Sequence, residues 1–443
     1  MAKYLGASSL SKLYGVTDPS KILGMVWSST PTAVDPGTYT TDLQDELLTL
    51  GDGTMGTESN GRLACKRDDQ RIYVLFMNPS SSTDNLWLSY ADGSAYSSWS
   101  NLQITSDTNT AYEDKWQWAM DMDSSGILHV AYVGESYTYG SGTIKVLWYM
   151  TYNTNTHAVG TSPTPIAYRT DSYDQANPCV VCDTDDVARI TWQGKGWGTN
   201  AGVYQMCYTS SADSGDWPYT SGDSPHLTDT ANDNVLPVID VNSEGDEYIF
   251  WIGQDAGLTN AVNNVLYKKY TTSWSSTQIG ADDTLMVTYM GFCISRFDDS
   301  LHIVLARRYD ASYRHGYYRV ANSDVWDSGE ESVFTYGDGN TRLQIYPHDD
   351  GQVPCVLYHD ANSIDYAYMR WKDEGTTWKH TTLLLGGETR SQAFYKSFSF
   401  IWPEAGMDFN KNPVGPEIII DFLDDIPTST TSHIFYKSWS DVT

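Results

Sequence analysis

The sequence predicts an all-β protein: a seven-bladed β-propeller of four-stranded blades, closed by an N-terminal strand and preceded by an N-terminal arm. Three observations carry that expectation. The first is composition. Aromatics make up 13% of the 443 residues, with Tyr 32 and Trp 16, while charged residues are only 19%. Tyr and Thr suit half-buried pleated surfaces, and the abundant Gly, Ser, Asn and Asp suit turns. The second is a recurring pair of aromatics three residues apart: Trp87/Tyr90, Tyr149/Tyr152, Tyr267/Tyr270, Tyr368/Trp371 and Tyr436/Trp439. Gln205/Tyr208 and Tyr318/Ala321 keep one aromatic each, and the second positions recur at intervals of 50–68 residues. The third is the setting. Upstream of each copy lie a strand, a tight acidic turn and a second strand. Downstream comes a turn and often a Trp opening a fourth strand, at Trp99, Trp217, Trp274, Trp326 and Trp378. A four-stranded sheet cannot bury both faces alone, whereas repeats stacked around an axis bury them against each other.

Taken in order, residues 1–44 read as an arm. They mix the apolar runs "SKLYGV" and "KILGMVW" with Pro19, Pro31 and Pro36. Residues 45–443 read as the propeller, with blades at about 57–105, 117–167, 177–228, 235–281, 290–336, 341–386 and 392–443 plus 45–50. The last repeat stops at its third strand, "HIFYKSWSDVT". The early segment "DELLTLGDG" (45–53) matches the outer strands "ESVFTYGDG" (331–339) and "HTTLLLGGE" (380–388), so it is expected to complete that blade and remove an open edge. The acidic stretch Asp121-Met-Asp123-Ser-Ser-Gly126 resembles a calcium loop, but Tyr132 stands where the twelfth-position Glu belongs. It reads as a hairpin turn, as do Asp183, Asp185 and Asp186. His129 and His302 occupy equivalent second-strand positions, which points to packing.

The net charge of −29 argues against nucleic acid and anionic membranes as partners. Cys65, Cys179, Cys182, Cys207, Cys293 and Cys355 each lie in strand-like apolar runs. The single CxxC lacks a second half, so they read as small buried hydrophobes rather than a zinc site. No metal, cofactor or catalytic set is expected. The first residues lack a signal-peptide core, and no run approaches the ~20 apolar residues of a membrane helix. An extracellular or virion location is expected from the composition.

The segment "WKDEGTTWKH" (371–380) carries Asp373-x-Gly375-x-Thr377-Trp378. It resembles the Asp-box of the sialidase-like BNR-repeat propellers, with Trp371 where Ser or Thr is usual. "SADSGDW" (211–217) and "YADGSAYSSW" (90–99) are shorter and looser copies. The resemblance implies the propeller fold for about 45–443. That family includes sialidases, other glycan hydrolases, polysaccharide lyases and non-enzymatic binding proteins, and its Asp-box is a folding element. A sialidase would bring three arginines for a carboxylate, a Tyr nucleophile with a Glu partner, and an Asp acid/base. The early Arg-Ile-Pro of those enzymes does not occur here, and three arginines cannot be assigned.

Within an acidic chain, "RRYDASYRHGYYR" (307–319) is conspicuous. Arg307, Arg308, Arg314 and Arg319 are four of 13 arginines. Repeat alignment places 309–315 in a second-to-third-strand loop. In propellers such loops share the face where ligands enter, so Arg307, Arg308, Tyr309, Tyr313, Arg314 and His315 are candidate ligand contacts. Tyr137 and Tyr139 in "GESYTYGSG" and the glycine-flanked Trp197 in "GKGWGTN" occupy equivalent loops. Exposed rings with nearby polar groups suit glycans, stacking on sugar C–H faces while the polar groups fix hydroxyls or a carboxylate. The expectation is a non-catalytic recognition or assembly module, plausibly on a virion. Its loop face would meet glycan or protein and its arm neighbouring subunits. The alternative is a secreted glycan-active enzyme, a glycoside hydrolase or polysaccharide lyase. A convergent Arg/Tyr/His cluster would mark a lyase.

Overall fold

The computed structural model describes residues 44–46, 61–78, 85–91, 99–105, 117–136, 144–169, 173–254, 263–281, 285–295, 298–308, 314–322, 324–327, 329–337, 343–347, 354–360, 366–372, 378–383, 394–405, 417–423 and 432–438. All belong to one compact unit spanning Thr41–Ser440. The arm proposed at 1–44 lies outside them, apart from Gln44.

Short strands, many of them buried at nearly every residue, run throughout. Sheet I opens with β1 (Gln44–Glu46), β2 (Ala64–Lys66), β3 (Ile72–Asn78), β4 (Asn85–Ala91) and β5 (Trp99–Gln103). Sheet II holds β6 (Trp118–Met122), β7 (Ile127–Ser136), β8 (Ile144–Asn153), β9 (Ala158–Val159) and β10 (Thr164–Ala167). Sheet III has β11 (Gln175–Cys182), β12 (Ala188–Gly194) and β13 (Gln205–Ser210). Sheet IV has β14 (Val235–Val241), β15 (Glu247–Gly253), β16 (Asn264–Tyr270) and β17 (Gln278–Ala281). Sheet V has β18 (Val287–Ile294), β19 (Leu301–Arg308), β20 (Arg314–Asn322), β21 (Val325–Trp326) and β22 (Glu331–Gly337). Sheet VI has β23 (Leu343–Pro347), β24 (Pro354–Asp360), β25 (Tyr366–Lys372) and β26 (Trp378–Leu383). Finally β27 (Phe394–Pro403), β28 (Glu417–Leu423) and β29 (Ser432–Ser438) return to sheet I. Neighbouring inner strands touch in turn, β2 to β6, β11, β14, β18, β23 and β27, so the sheets form a propeller ring.

The expectation of seven separate four-stranded blades is corrected. Sheets II to VI are five self-contained blades of three to five strands. The first and last repeats run together as one eight-stranded sheet, in the order β1-β29-β28-β27-β2-β3-β4-β5. The join is a parallel pairing of β2 with β27, Ala64 opposite Ile401 and Lys66 opposite Pro403. Repeat spacing counts units along the chain and is blind to a bond that forms between its two ends. β1 lies antiparallel on β29. Sheet III is short of a strand because "WPYTSGDSPHL" carries two prolines, which cannot donate to a ladder. Only isolated bonds remain there, Tyr208 N–H to Pro225 O at 3.0 Å and Leu227 N–H to Met206 O at 2.6 Å.

Three devices repeat between blades. A third-strand tyrosine meets, edge to face, the Trp at the start of the next blade's outer segment. The pairs are Tyr149/Trp217 at 5.2 Å, Tyr208/Trp274 at 4.9 Å, Tyr267/Trp326 at 6.1 Å and Tyr318/Trp378 at 5.4 Å. Such contacts contribute about 0.5–1.5 kcal/mol each beyond area burial. Next, a third-strand cation donates to a carbonyl on the outer segment of the preceding blade: Lys268 to Leu227 at 2.8 Å, Arg319 to Gly280, and Arg370 to Val333. Last, an aspartate in the left-handed region of a hairpin turn accepts from a serine of the preceding blade. Asp186 (φ 62°) takes the Ser124 N–H, and Asp299 (φ 57°) takes the Ser243 N–H, both at 2.8 Å. Hence the acidic turns are structural, and Asp123 Oδ1 accepts from Ser125 and Ile127 within its own turn. All six cysteines are free and buried.

Beyond β27 the chain straps three elements together. Glu404 N–H donates to Lys66 O at 2.8 Å and Ala405 N–H to Met122 O at 2.9 Å. Burial, helped by the neighbouring Asp68 and Asp69 carboxylates against Arg67, raises the Glu404 carboxyl from 4.5 to about 7.

Two outcomes follow for stability. Arg319→Met, which leaves the Gly280 carbonyl without its donor, is expected to cost about 1–3 kcal/mol in a chemical denaturation midpoint. Glu404 is protonated in the fold where the unfolded chain is ionised. Its contribution is therefore full below pH 4.5 and lost as pH rises through about 7. Melting curves across that window should show Glu404→Gln flattening the decline seen in the parent chain. Parallel profiles would contradict the assignment.

Candidate functional site

A buried ion-pair cluster joins sheets I, II and IV. Arg62, just before β2, reaches Asp121 on β6 and Asp240 on β14, each at 2.7 Å. Its guanidinium lies 4.2 Å from the centre of the Trp402 ring. Asp121 also accepts from Cys182 N–H at 2.8 Å, and Asp240 from Ile294 N–H at 2.9 Å. Burial opposes the Arg62 charge, but the two carboxylates outweigh it and hold its pKa above the ordinary arginine range. The adjoining cavity is about 20 Å³, room for a single water.

Two arginines of the basic stretch at 307–319 have structural partners. Arg307 is 4% exposed and clasps Glu330 through both terminal nitrogens, with Tyr317 at 4.6 Å. Arg319 forms the inter-blade bond already described. Arg308 is exposed, His315 is half-buried, and the Arg314 backbone pairs with Arg308. Tyr309, Tyr313, Tyr137 and Tyr139 lie outside the described residues, as do Asp373, Gly375 and Thr377. The two second-strand histidines are bound in buried pairs. His129 meets Tyr149 at 2.6 Å and Asp123 at 3.1 Å, and His302 meets Tyr318 at 2.7 Å and Ser300 at 2.7 Å. Burial pushes both phenols far above the ordinary tyrosine range.

Trp197 is not the exposed ring its flanking glycines suggest. It is 1% exposed, and its indole N–H donates to Gln175 Oε1 at 3.1 Å, an acceptor shared with Trp192 at 2.9 Å. The glycines let the loop turn inward. Gly196 (φ 90°) has no room for a Cβ, which would meet Tyr173 at 2.7 Å and Arg169 at 2.9 Å. Gly198 (φ 68°) sits 2.8 Å from the Asp229 carboxyl by the same measure. Asp229 then pins the loop by accepting from Thr199 and Asn200, which holds its carboxyl well below the usual range.

Around that buried ring the strand ends of sheets II and III assemble cations and phenols that sequence reading missed. Arg169 lies 5.3 Å from the Trp197 ring and 5.7 Å from Tyr173, and donates to Gly196 O. Lys195 lies 4.3 Å from the Tyr204 ring. Lys145 pairs with Asp174 at 3.3 Å, and Asp174 O accepts from Lys195 N–H at 2.8 Å. Arg169, Tyr173, Lys195 and Tyr204 are all half-buried. Lys145 starts β8, Arg169 follows β10, and Lys195 follows β12, so only the folded strand ends bring them together. The described residues contain no cluster of three or more metal-ligating side chains.

No protein-family model matches the chain, and no curated protein matches it. Solved structures do. A polysaccharide lyase described as an ulvan lyase superposes with a TM-score of 0.56 at 12% identity, covering 90% of this chain and 96% of its own. The polysaccharide lyase Uly1 gives 0.52 at 9% identity, covering 93% and 95%. An α-L-arabinofuranosidase from Fusarium graminearum gives 0.44 at 10% identity, covering 90% and 98%. At these identities the likeness shows the fold: an all-β propeller whose structural neighbours include glycan-active enzymes. The Asp-box resemblance has no family match beside it.

Proposed function

We propose that this chain is a glycan-active propeller that cleaves an acidic polysaccharide by β-elimination on the loop face of sheets II and III. The observation that carries the reading is the joining of Lys145, Arg169 and Lys195 with Tyr173 and Tyr204 around a rigid, glycine-shaped loop. Cations neutralise a uronate carboxylate and so acidify the C5–H beside it. A phenolate takes that proton as base, the C4–O bond breaks, a C4=C5 double bond forms, and the departing oxygen receives a proton. Tyr173 and Tyr204 are the phenols proposed for the base, because Tyr149 and Tyr318 are buried against histidines. The two propeller lyases are consistent with this chemistry on this fold.

The second reading is recognition without cleavage, on a virion or another particle. The burial of both histidine–tyrosine pairs favours it, since it removes the two best-connected acid–base pairs from solvent.

Incubation with a panel of uronate polysaccharides separates the two. The expected result is growing ultraviolet absorbance from the unsaturated end. The rate should fall by about 10²–10⁴-fold in Tyr204→Phe or Tyr173→Phe, with binding weakened in Lys195→Gln. Binding without absorbance would sustain the recognition reading alone, and neither binding nor absorbance would remove the acidic-glycan reading.

A further inference from the structure

A second cluster of arginine, tyrosine and histidine lies at the hairpin turns between sheets I and II, sharing no residue with the loop face. Arg67 and Arg71 flank the β2–β3 turn, Tyr73 lies on β3, Tyr90 on β4, and Tyr152 on β8 with His157 just beyond it. The rings form a stack. Tyr73 and Tyr90 are 5.8 Å apart, Tyr90 and His157 4.7 Å, and the Tyr152 hydroxyl is 3.4 Å from His157 Nδ1. Gly126 (φ 75°) makes room for the Arg67 guanidinium, whose Cζ a Cβ there would approach to 3.3 Å. Arg67 uses one nitrogen on Thr154 Oγ1 at 2.9 Å.

Two donors are left over. Arg67 Nε and the Tyr73 hydroxyl are buried, and neither makes a hydrogen bond of normal geometry among the described residues, although Arg71 and Thr154 lie close to the hydroxyl. Leaving such groups unpaired is costly. Asp69 is close by and held loosely, and Glu404 and Asp68 also lie near Arg67. The Asp69 Oδ2 stands 3.8 Å from Arg67 and 3.7 Å from Arg71, beyond hydrogen-bond range, with the side chain 39% exposed.

We propose that Arg67, Arg71 and Tyr73 form an oxyanion site that takes the carboxylate or sulfate of a sugar, with Asp69 as its internal placeholder. The incoming oxyanion displaces Asp69 outward and accepts from Arg67 Nε and the Tyr73 hydroxyl as the 13% exposed Arg67 side chain shifts. His157, half-buried at the end of that stack, offers its outer ring face to the sugar beside it.

Calorimetric titration of the full chain at low salt with sodium glucuronate and with sodium sulfate tests the site. Asp69→Asn keeps the turn's acceptor for Arg71 N–H but removes the competing charge, so it is expected to bind either probe several-fold more tightly. Arg71→Gln is expected to bind about tenfold more weakly, the size of one lost charge-assisted bond. Glucuronate binding more tightly than sulfate would add the ring contacts to the site, and equal binding would confine it to the oxyanion. Thermal melts confirm that each variant is folded. No heat with either probe in both the parent chain and Asp69→Asn, or an unchanged affinity in Asp69→Asn, would overturn the proposal. A purely structural arginine pair predicts no gain in that variant.

Discussion

One buried charge cluster links most sheets of this ring: Arg62 held between Asp121 and Asp240. Taking three charges out of water is costly, and removing one partner of such a set typically costs about 3–5 kcal/mol. Here the cost is offset by short ion pairs, by backbone N–H donors on both carboxylates, and by the Trp402 ring beneath the guanidinium. The cluster ties the start of sheet I to sheets II and IV, and through the backbone donors to sheets III and V. It also lies where inner strands of these sheets come together.

Around that centre the blades are joined by the same few contacts used repeatedly. Tyrosine meets the tryptophan of the next blade, a cation meets the carbonyl of the preceding one, and a turn aspartate meets a serine. Each uses a side chain at an equivalent strand position, so the repeat in the sequence and the repeat in the interfaces share one cause. Closure is different in kind. It rests on three parallel residue pairs between β2 and β27 and on the Glu404–Ala405 strap, and it is there that a carboxyl is pushed to near-neutral pH.

The strands and the role of the aromatics were legible because composition and repeat spacing can be read along the chain. The acidic turns were legible too: Asp123 and Asp183 serve their own hairpins. The number of separate blades was not, because the β2–β27 bond joins residues more than 300 positions apart and has no local mark. Trp197 misled because glycine neighbours are compatible with a ring turned outward or inward, and only the contacts of Gly196 and Gly198 decide between them. Within the basic run at 307–319, two arginines have structural partners that the run does not reveal. Arg307 and Arg319 are spent on Glu330 and on the neighbouring blade, partners that the run itself does not contain. Conversely, Lys145, Arg169 and Lys195 look unremarkable along the chain and meet only at the strand ends.

The catalytic site proposed above lies on the loop face of sheets II and III. Hydrogen–deuterium exchange with and without an acidic oligosaccharide tests that placement directly. Slowed exchange is expected in the loop from Lys195 to Tyr204 and in the segment around Asp174, with the inner strands β6 and β14 unchanged. Protection confined to those inner strands, or to sheets IV to VI, would contradict that placement.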